Sequence, residues 1–171
     1  MELVKAEKVA YEVVAQLQPF CSKIEVAGSI RRHRPIVHDI DLVCIPSNQG
    51  QFLAVLQGLG RIKIGGGKII RVGMGFSKGI DLDVYIATPA TWATLLLIRT
   101  GSAAHNIRMC SRAKNMGMKL HADGSGLFFV REKIGWTGAV EHRDEELVAS
   151  ESEEQIFKAL GLPYEEPDRR E

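Results

Sequence analysis

Two acidic residues on an Asp-x-Asp spacing, Asp39 and Asp41, stand at the start of the apolar run 40–45. In an extended strand, residues i and i+2 point to the same face, so the two carboxylates project side by side. Carboxylates held that close repel each other. A bound divalent cation that prefers oxygen ligands, most naturally Mg²⁺, relieves the repulsion. Just upstream, Gly28 lets a phosphate approach the backbone, Ser29 offers a hydroxyl and an amide, and Arg32 can fork onto phosphate oxygens. Further on, GIDLDVYI over 79–86 again sets two carboxylates, Asp81 and Asp83, on one face. If that segment neighbours the 40–45 strand, one of them completes a three-carboxylate metal site. Metal beside phosphate is the chemistry these residue types suit.

The elements that must hold these residues follow from hydrophobic period. Leu3, Val4, Val9, Ala10, Val13, Val14 and Leu17 fall on a helical repeat over 3–18, which Pro19 stops. Residues 23–28 alternate as a strand that delivers Gly28 and Ser29 to its C-terminal end. Residues 40–45 are almost wholly apolar, as in a central strand covered on both faces. A short helix over 49–59 ends at Gly58 and Gly60. Residues 61–64 and 68–72 flank three glycines, the pattern of a β-hairpin. Those glycines lack the strand, GxxxxGK[ST], helix setting of a phosphate loop. Thr88 as N-cap and Pro89 in the first turn start a helix running to Thr100. Gly101 breaks it, and Ser102 caps a basic helix over 103–116 that Gly117 closes. Short strands are expected at 119–120, 126–130 and near 138–141. Ser150 with Glu153 makes a capping box for a helix over 151–160, ended by Gly161.

The composition, 171 residues with 45% hydrophobic and 25% charged, suits one compact domain or one domain with a small appendage. No run is long enough to span a membrane, and the N-terminus lacks a signal core, so the expected compartment is the cytoplasm. Cys21, Cys44 and Cys110 show no CxxC spacing, which argues against a disulfide framework or a zinc site. Net charge hides a polarity. Residues 1–122 hold 16 Lys or Arg against 8 Asp or Glu, whereas 123–171 hold 6 against 13. No acid lies between Asp83 and Asp123, a stretch that includes Arg99, Arg108, Arg112, Lys114 and Lys119. A one-sided positive field suits a polyanionic partner, although a solvated helix face has the same composition. His33 and His38 flank the Asp pair, but carboxylates suit Mg²⁺ better. His105 and His121, read as exposed, add at most partial positive charge. Trp92, Trp136 and Cys44 read as core, and the acidic C-terminal half as a solvated face.

The order Gly-Ser, Arg32, Asp-x-Asp and a distant strand Asp is similar to the nucleotidyltransferase superfamily. RTGSAAHNIR over 99–108, GSGLF over 124–128 and SEEQIFKALGLPYEEPDRRE over 152–171 resemble the palm-to-thumb junction, thumb and C-terminus of family X DNA polymerases. That resemblance implies an α+β fold: a nucleotidyltransferase palm over 1–88, a mixed sheet with flanking helices, then a small α/β thumb over 89–171, with no lyase or fingers subdomain. It implies a template-directed DNA polymerase that adds dNTP to a primer 3′-hydroxyl by a two-metal mechanism in short-gap repair. Asp39, Asp41 and Asp83 match the catalytic carboxylates that hold two Mg²⁺ ions, with Mn²⁺ an acceptable substitute. Asp83 is preferred to Asp81 by its distance to Thr100 and Gly101. Gly28, Ser29, Arg32, Gly101, Ser102 and Asn106 match nucleotide contacts, and Arg99, Arg108 and Arg112 are the expected DNA contacts. Ile98 and Arg99 depart from the family's Tyr-Phe pair, which implies weaker exclusion of ribonucleotides. The expected partners are primer-template or gapped DNA and dNTP, with a monomeric chain. The same carboxylates would also serve a template-independent or small-molecule nucleotidyltransferase. A catalytically inactive DNA-binding remnant is the non-enzyme alternative.

Overall fold

The computed structural model describes residues 1–75, 79–134, 136 and 140–171. Its first 86 residues build a five-stranded mixed sheet in the order β1-β2-β5-β4-β3. The strands are β1 (Cys21–Val26), β2 (Asp39–Pro46), β3 (Arg61–Ile64), β4 (Ile69–Gly73) and β5 (Asp81–Ile86). Only β2 and β5 run parallel; the other neighbours are antiparallel. α1 (Leu3–Leu17) and α3 (Gln49–Leu59) pack on one face, burying Ala6, Ala10, Val13, Leu17, Phe52 and Leu56 against Ile40, Leu42, Cys44, Ile70, Val72, Leu82 and Val84. That strand set is one parity of the alternation, so the acids at Asp39, Asp41, Asp81 and Asp83 point to the opposite face. There, α4 (Trp92–Thr100) packs on Val43, Tyr85 and Ala87.

α4 is apolar all round, as a helix enclosed on every side must be. Leu95 and Leu96 join the cluster on the first sheet, and Leu97 and Ile98 join a second one. The second cluster gathers α5 (Ala103–Asn115), α6 (Glu153–Ala159) and a three-stranded sheet of β6 (Met118–Leu120), β7 (Leu127–Ile134) and β8 (Val140–Ala149). A four-residue helix α2 (Gly28–Arg31) follows β1. The architecture is mixed α+β. Among the described residues, no helix is long and apolar enough to cross a membrane.

Several local expectations need correction. α4 starts at Trp92 with Thr91 as N-cap, because Thr88 and Pro89 form a preceding turn in which the Thr88 amide donates to Thr91 Oγ1 at 2.9 Å. Ser152, not Ser150, caps α6, accepting from the Gln155 amide at 3.2 Å. β8 is ten residues of mostly charged sequence, VEHRDEELVA, with no apolar alternation to announce it. Cross-strand ion pairs such as Arg131–Glu146 at 3.2 Å and Arg143–Glu132 at 3.7 Å accompany its pairing with β7. Of the strand expected at 138–141, residues 138 and 139 lie outside the described residues. Trp136 is 98% exposed rather than core. His105 is buried and stacked 5.8 Å from Phe157 rather than exposed. Its pKa is lowered by burial and then by the charge of Arg170, both of which disfavour the protonated ring.

Candidate active site

Strand register assembles the acids. Asp39 pairs with Asp81 and Asp41 with Asp83 across β2 and β5. β4, on the other side of β5, sets Gly73 opposite Asp81 and Arg71 opposite Asp83. Directly paired residues share a face. Two rows result, Asp41, Asp83 and Arg71 in one, and Asp39, Asp81 and Gly73 in the next.

The two β5 acids each have a cation from the β3–β4 hairpin. Lys63 Nζ donates to both oxygens of Asp81, at 2.8 and 2.7 Å. It crosses over Gly73, where an added β-carbon would lie 2.5 Å from Lys63 Cε. Arg71 grips Asp83 with two prongs, Nε to Oδ1 at 2.6 Å and Nη2 to Oδ2. Asp83 is 2% exposed. Asp41 is pushed up to about 7 by burial and by the like charges of Asp39 and Asp83, while a hydrogen bond from Tyr85 and the charge of Arg32 act the other way. The Tyr85 hydroxyl is pushed up to about 12 by burial and by Asp41, so it stays a donor.

An all-carboxylate donor set with surplus negative charge fits a hard divalent cation. Asp39, Asp41 and Asp83 are the residues that would hold it. Among the described residues, no three such side chains stand together as a finished ligand set. Both oxygens of Asp83 face Arg71.

Gly28 is where the chain leaves β1 and turns under Asp41. Its φ is +58°, and an added β-carbon would overlap the Asp41 carboxylate, 2.8 Å from Cγ. Gly28→Ala is therefore expected to lower the unfolding free energy by about 1–3 kcal/mol, read by urea denaturation, and to shift Asp41 from its place. A variant as stable as the parent would contradict that.

Ser29 lies on α2 and Arg32 just after it, and Arg32 reaches the junction between α4 and α5. Arg32 Nη1 donates to the Thr100 carbonyl and lies beside Gly101. Arg32 Nε and Ser29 Oγ are buried with no protein partner. Unsatisfied buried donors are rare, and an acceptor such as a phosphate oxygen would satisfy them. Ser102 caps α5, accepting from the His105 amide at 3.2 Å. Asn106 Nδ2 donates to the Ile98 carbonyl at 2.8 Å, and its Oδ1 is buried without a partner. Ile98 itself is buried in the second cluster.

The three arginines expected on DNA all have partners within the chain. Arg99 lies 4.2 Å over the Tyr85 ring. Arg108 donates to the Glu171 main-chain oxygen and sits 3.9 Å from Glu165, and Arg112 donates to the Leu160 carbonyl at 3.0 Å. His121 is taken by Glu145 at 2.8 Å.

Sequence reasoning passes over Arg71 and a buried ion cluster behind α2. In that cluster Glu153, 7% exposed, accepts from Arg31 at 3.0 and 2.9 Å and from Arg170 at 2.8 Å. Arg31 also donates to Thr100 Oγ1 at 2.7 Å. The adjacent Arg31 and Arg32 thus point to different partners, one to the ion cluster and one to the Thr100 carbonyl. The only sequence signal for this is a charge within the apolar period of α6.

Residues 95–171 match the family model described as DNA polymerase beta thumb. Over 171 aligned residues, 97% of this chain, the sequence is 28% identical to the DNA polymerase/3'-5' exonuclease PolX of Bacillus subtilis (strain 168), covering 28% of that protein. It is 34% identical over 90 residues, 53% of the chain, to DNA polymerase lambda of Rattus norvegicus, covering 15% of that protein. The chain therefore spans less than a third of the length of these relatives.

Proposed function

Because the chain belongs to the family X DNA polymerases, we propose that it carries their nucleotidyl-transfer centre, adding dNTP to a primer 3′-hydroxyl on a DNA template in short-gap repair. On this reading residues 1–88 are the palm and 89–171 the thumb, and the chain acts as a monomer. The observation that carries the reading is the same-face placement of Asp39, Asp41 and Asp83 by the β2–β5 register. The buried Ser29 Oγ and Arg32 Nε, neither with a protein partner, add to it.

Two Mg²⁺ ions, or Mn²⁺ in their place, supply Lewis-acid activation of the primer hydroxyl and neutralise charge on the triphosphate when bound. The chain's own residues do the rest. Asp39 and Asp41, side by side on β2, orient the triphosphate side of the site. Asp83, once free of Arg71, accepts the 3′-hydroxyl proton on a carboxylate oxygen. Ser29 Oγ and Arg32 donate to the phosphates that become the leaving group, where charge accumulates as the bond breaks. The Thr100 carbonyl aims the Arg32 guanidinium, and Gly101 leaves room beside it. Arg99, Arg108 and Arg112 would contact DNA phosphates on exchanging the intrachain partners they hold here.

Extension of a labelled primer on gapped, recessed and blunt duplexes, with Mg²⁺ and each dNTP, is the direct test. Templated addition on the gapped duplex is the expected result. Addition that ignores the template base would favour the template-independent transferase instead, and binding without addition the inactive remnant. Ribonucleotides in parallel lanes should be accepted more readily than a strict deoxynucleotide enzyme allows, since Ile98 is buried and Arg99 stands where the family has an aromatic ring.

A further inference from the structure

Arg71 enters the chemistry above only by having to leave Asp83, yet it makes a two-pronged contact with that carboxylate. It stands opposite Asp83 in the β4–β5 register and uses two nitrogens on the two carboxylate oxygens. These are the oxygens a cation would need. The two partners differ in freedom: the Asp83 side chain is 2% exposed and fixed in the sheet, whereas that of Arg71 is 39% exposed. Beside Arg71 opens a groove of about 670 Å³ lined by Asp39, Arg61, Lys63, Gly73 and Gly79. Gly79 leaves part of its wall without a side chain, while the Lys63 stem lies across Gly73. A guanidinium on a four-bond stem can therefore leave Asp83 for the groove without moving the backbone.

We propose that Arg71 is a built-in counter-ion that competes with a divalent cation for Asp83, holding the carboxylate in place in the metal-free chain and withdrawing into the groove when the cation binds. The inference rests on the metal-site reading of Asp39, Asp41 and Asp83. Its logic is electrostatic. With Arg71 in place, one of the charges in the carboxylate row is already neutralised and each of its oxygens already accepts a charged hydrogen bond. An entering cation must break that two-pronged pair before it can take Asp83 as a ligand, and the energy of the pair is subtracted from its affinity. Lysine at position 71 would keep the charge and lose the fork.

The test is Mn²⁺ binding to the nucleotide-free, DNA-free full chain, followed by electron paramagnetic resonance of free Mn²⁺ and by calorimetry. Arg71→Gln is expected to bind Mn²⁺ about tenfold more tightly than the parent, the order expected when a partly exposed unit charge is removed from beside the ligand. Arg71→Lys should fall between them. In the Asp83→Asn background the same Arg71→Gln change should have no effect, because the contested ligand is gone. Thermal unfolding without metal identifies any variant that has lost its fold, and Arg71→Lys then carries the comparison. Equal or weaker Mn²⁺ binding in both folded Arg71 variants overturns the proposal, as does a gain that persists without Asp83. The polymerase reading is judged separately. A parent chain that extends a primer while its Mn²⁺ affinity ignores Arg71 refutes this competition alone. A chain with the Arg71-dependent affinity but no extension refutes the polymerase and leaves the competition standing.

Discussion

Asp41→Asn is expected to reduce primer extension by about a thousandfold, leave DNA affinity unchanged, and raise the unfolding temperature of the metal-free chain. The three outcomes come from one arrangement. Asp41 is partly buried beside two like charges, which is why its proton is held so firmly. Ionised, it destabilises the fold and prepares the site for a cation. Asparagine keeps the shape against Gly28 and removes the repulsion. Most inactive variants are also less stable, so a gain in stability with loss of extension would be hard to reach by damage alone. The readouts are single-turnover extension on a gapped duplex, fluorescence anisotropy with the same DNA, and scanning calorimetry in chelator. Extension within tenfold of the parent would remove Asp41 from the mechanism.

The largest effect on stability should come from Glu153→Ala. Glu153 lies between Arg31 and Arg170, whose side chain is wholly buried. Removing the acid leaves two guanidinium groups in the interior without their counter-charge, which costs about 3–5 kcal/mol. The pH dependence follows from the same geometry. Burial opposes the Glu153 charge, but the hydrogen bonds from Arg31 and Arg170 outweigh it and hold the pKa below the ordinary glutamate value of 4.5. A depressed carboxyl stabilises the fold at pH above the unfolded-state value, and that stability is lost as pH falls below 4.5 through the native value. Urea unfolding of the parent should therefore weaken between pH 5 and pH 3 more than that of Glu153→Ala. Parallel losses in the two proteins would show that Glu153 does not control the acid limb.

Local pattern made much of this legible. The parity of β2 and β5 is written in DIDL and DLDV, where the acids alternate with residues that fill the core. Gly28 and Ser102 also signal their roles, one by the turn it permits and one by the cap it supplies. What was hidden depends on register and distance. Nothing within Arg61–Gly73 says that β4 will lie antiparallel on β5 with Arg71 opposite Asp83 rather than one residue away. The Glu153 cluster joins residues 31, 153 and 170, and its acid reads locally as half of a capping box. β8 escaped for a different reason: its pairing is lined by cross-strand charges, so it has little hydrophobic period to detect.

The enclosed helix α4 sets how the molecule can be taken apart. Its residues fill two cores at once, Leu95 and Leu96 in one, Leu97 and Ile98 in the other. A polypeptide cut at 88/89 would leave the first piece with a bare apolar plate at Val43 and Tyr85, and the second with a helix missing half its surroundings. Neither piece would be a self-sufficient module. The two would have to be made together and meet while folding, and any swing of the C-terminal unit must pivot at the ends of α4 rather than slide along it.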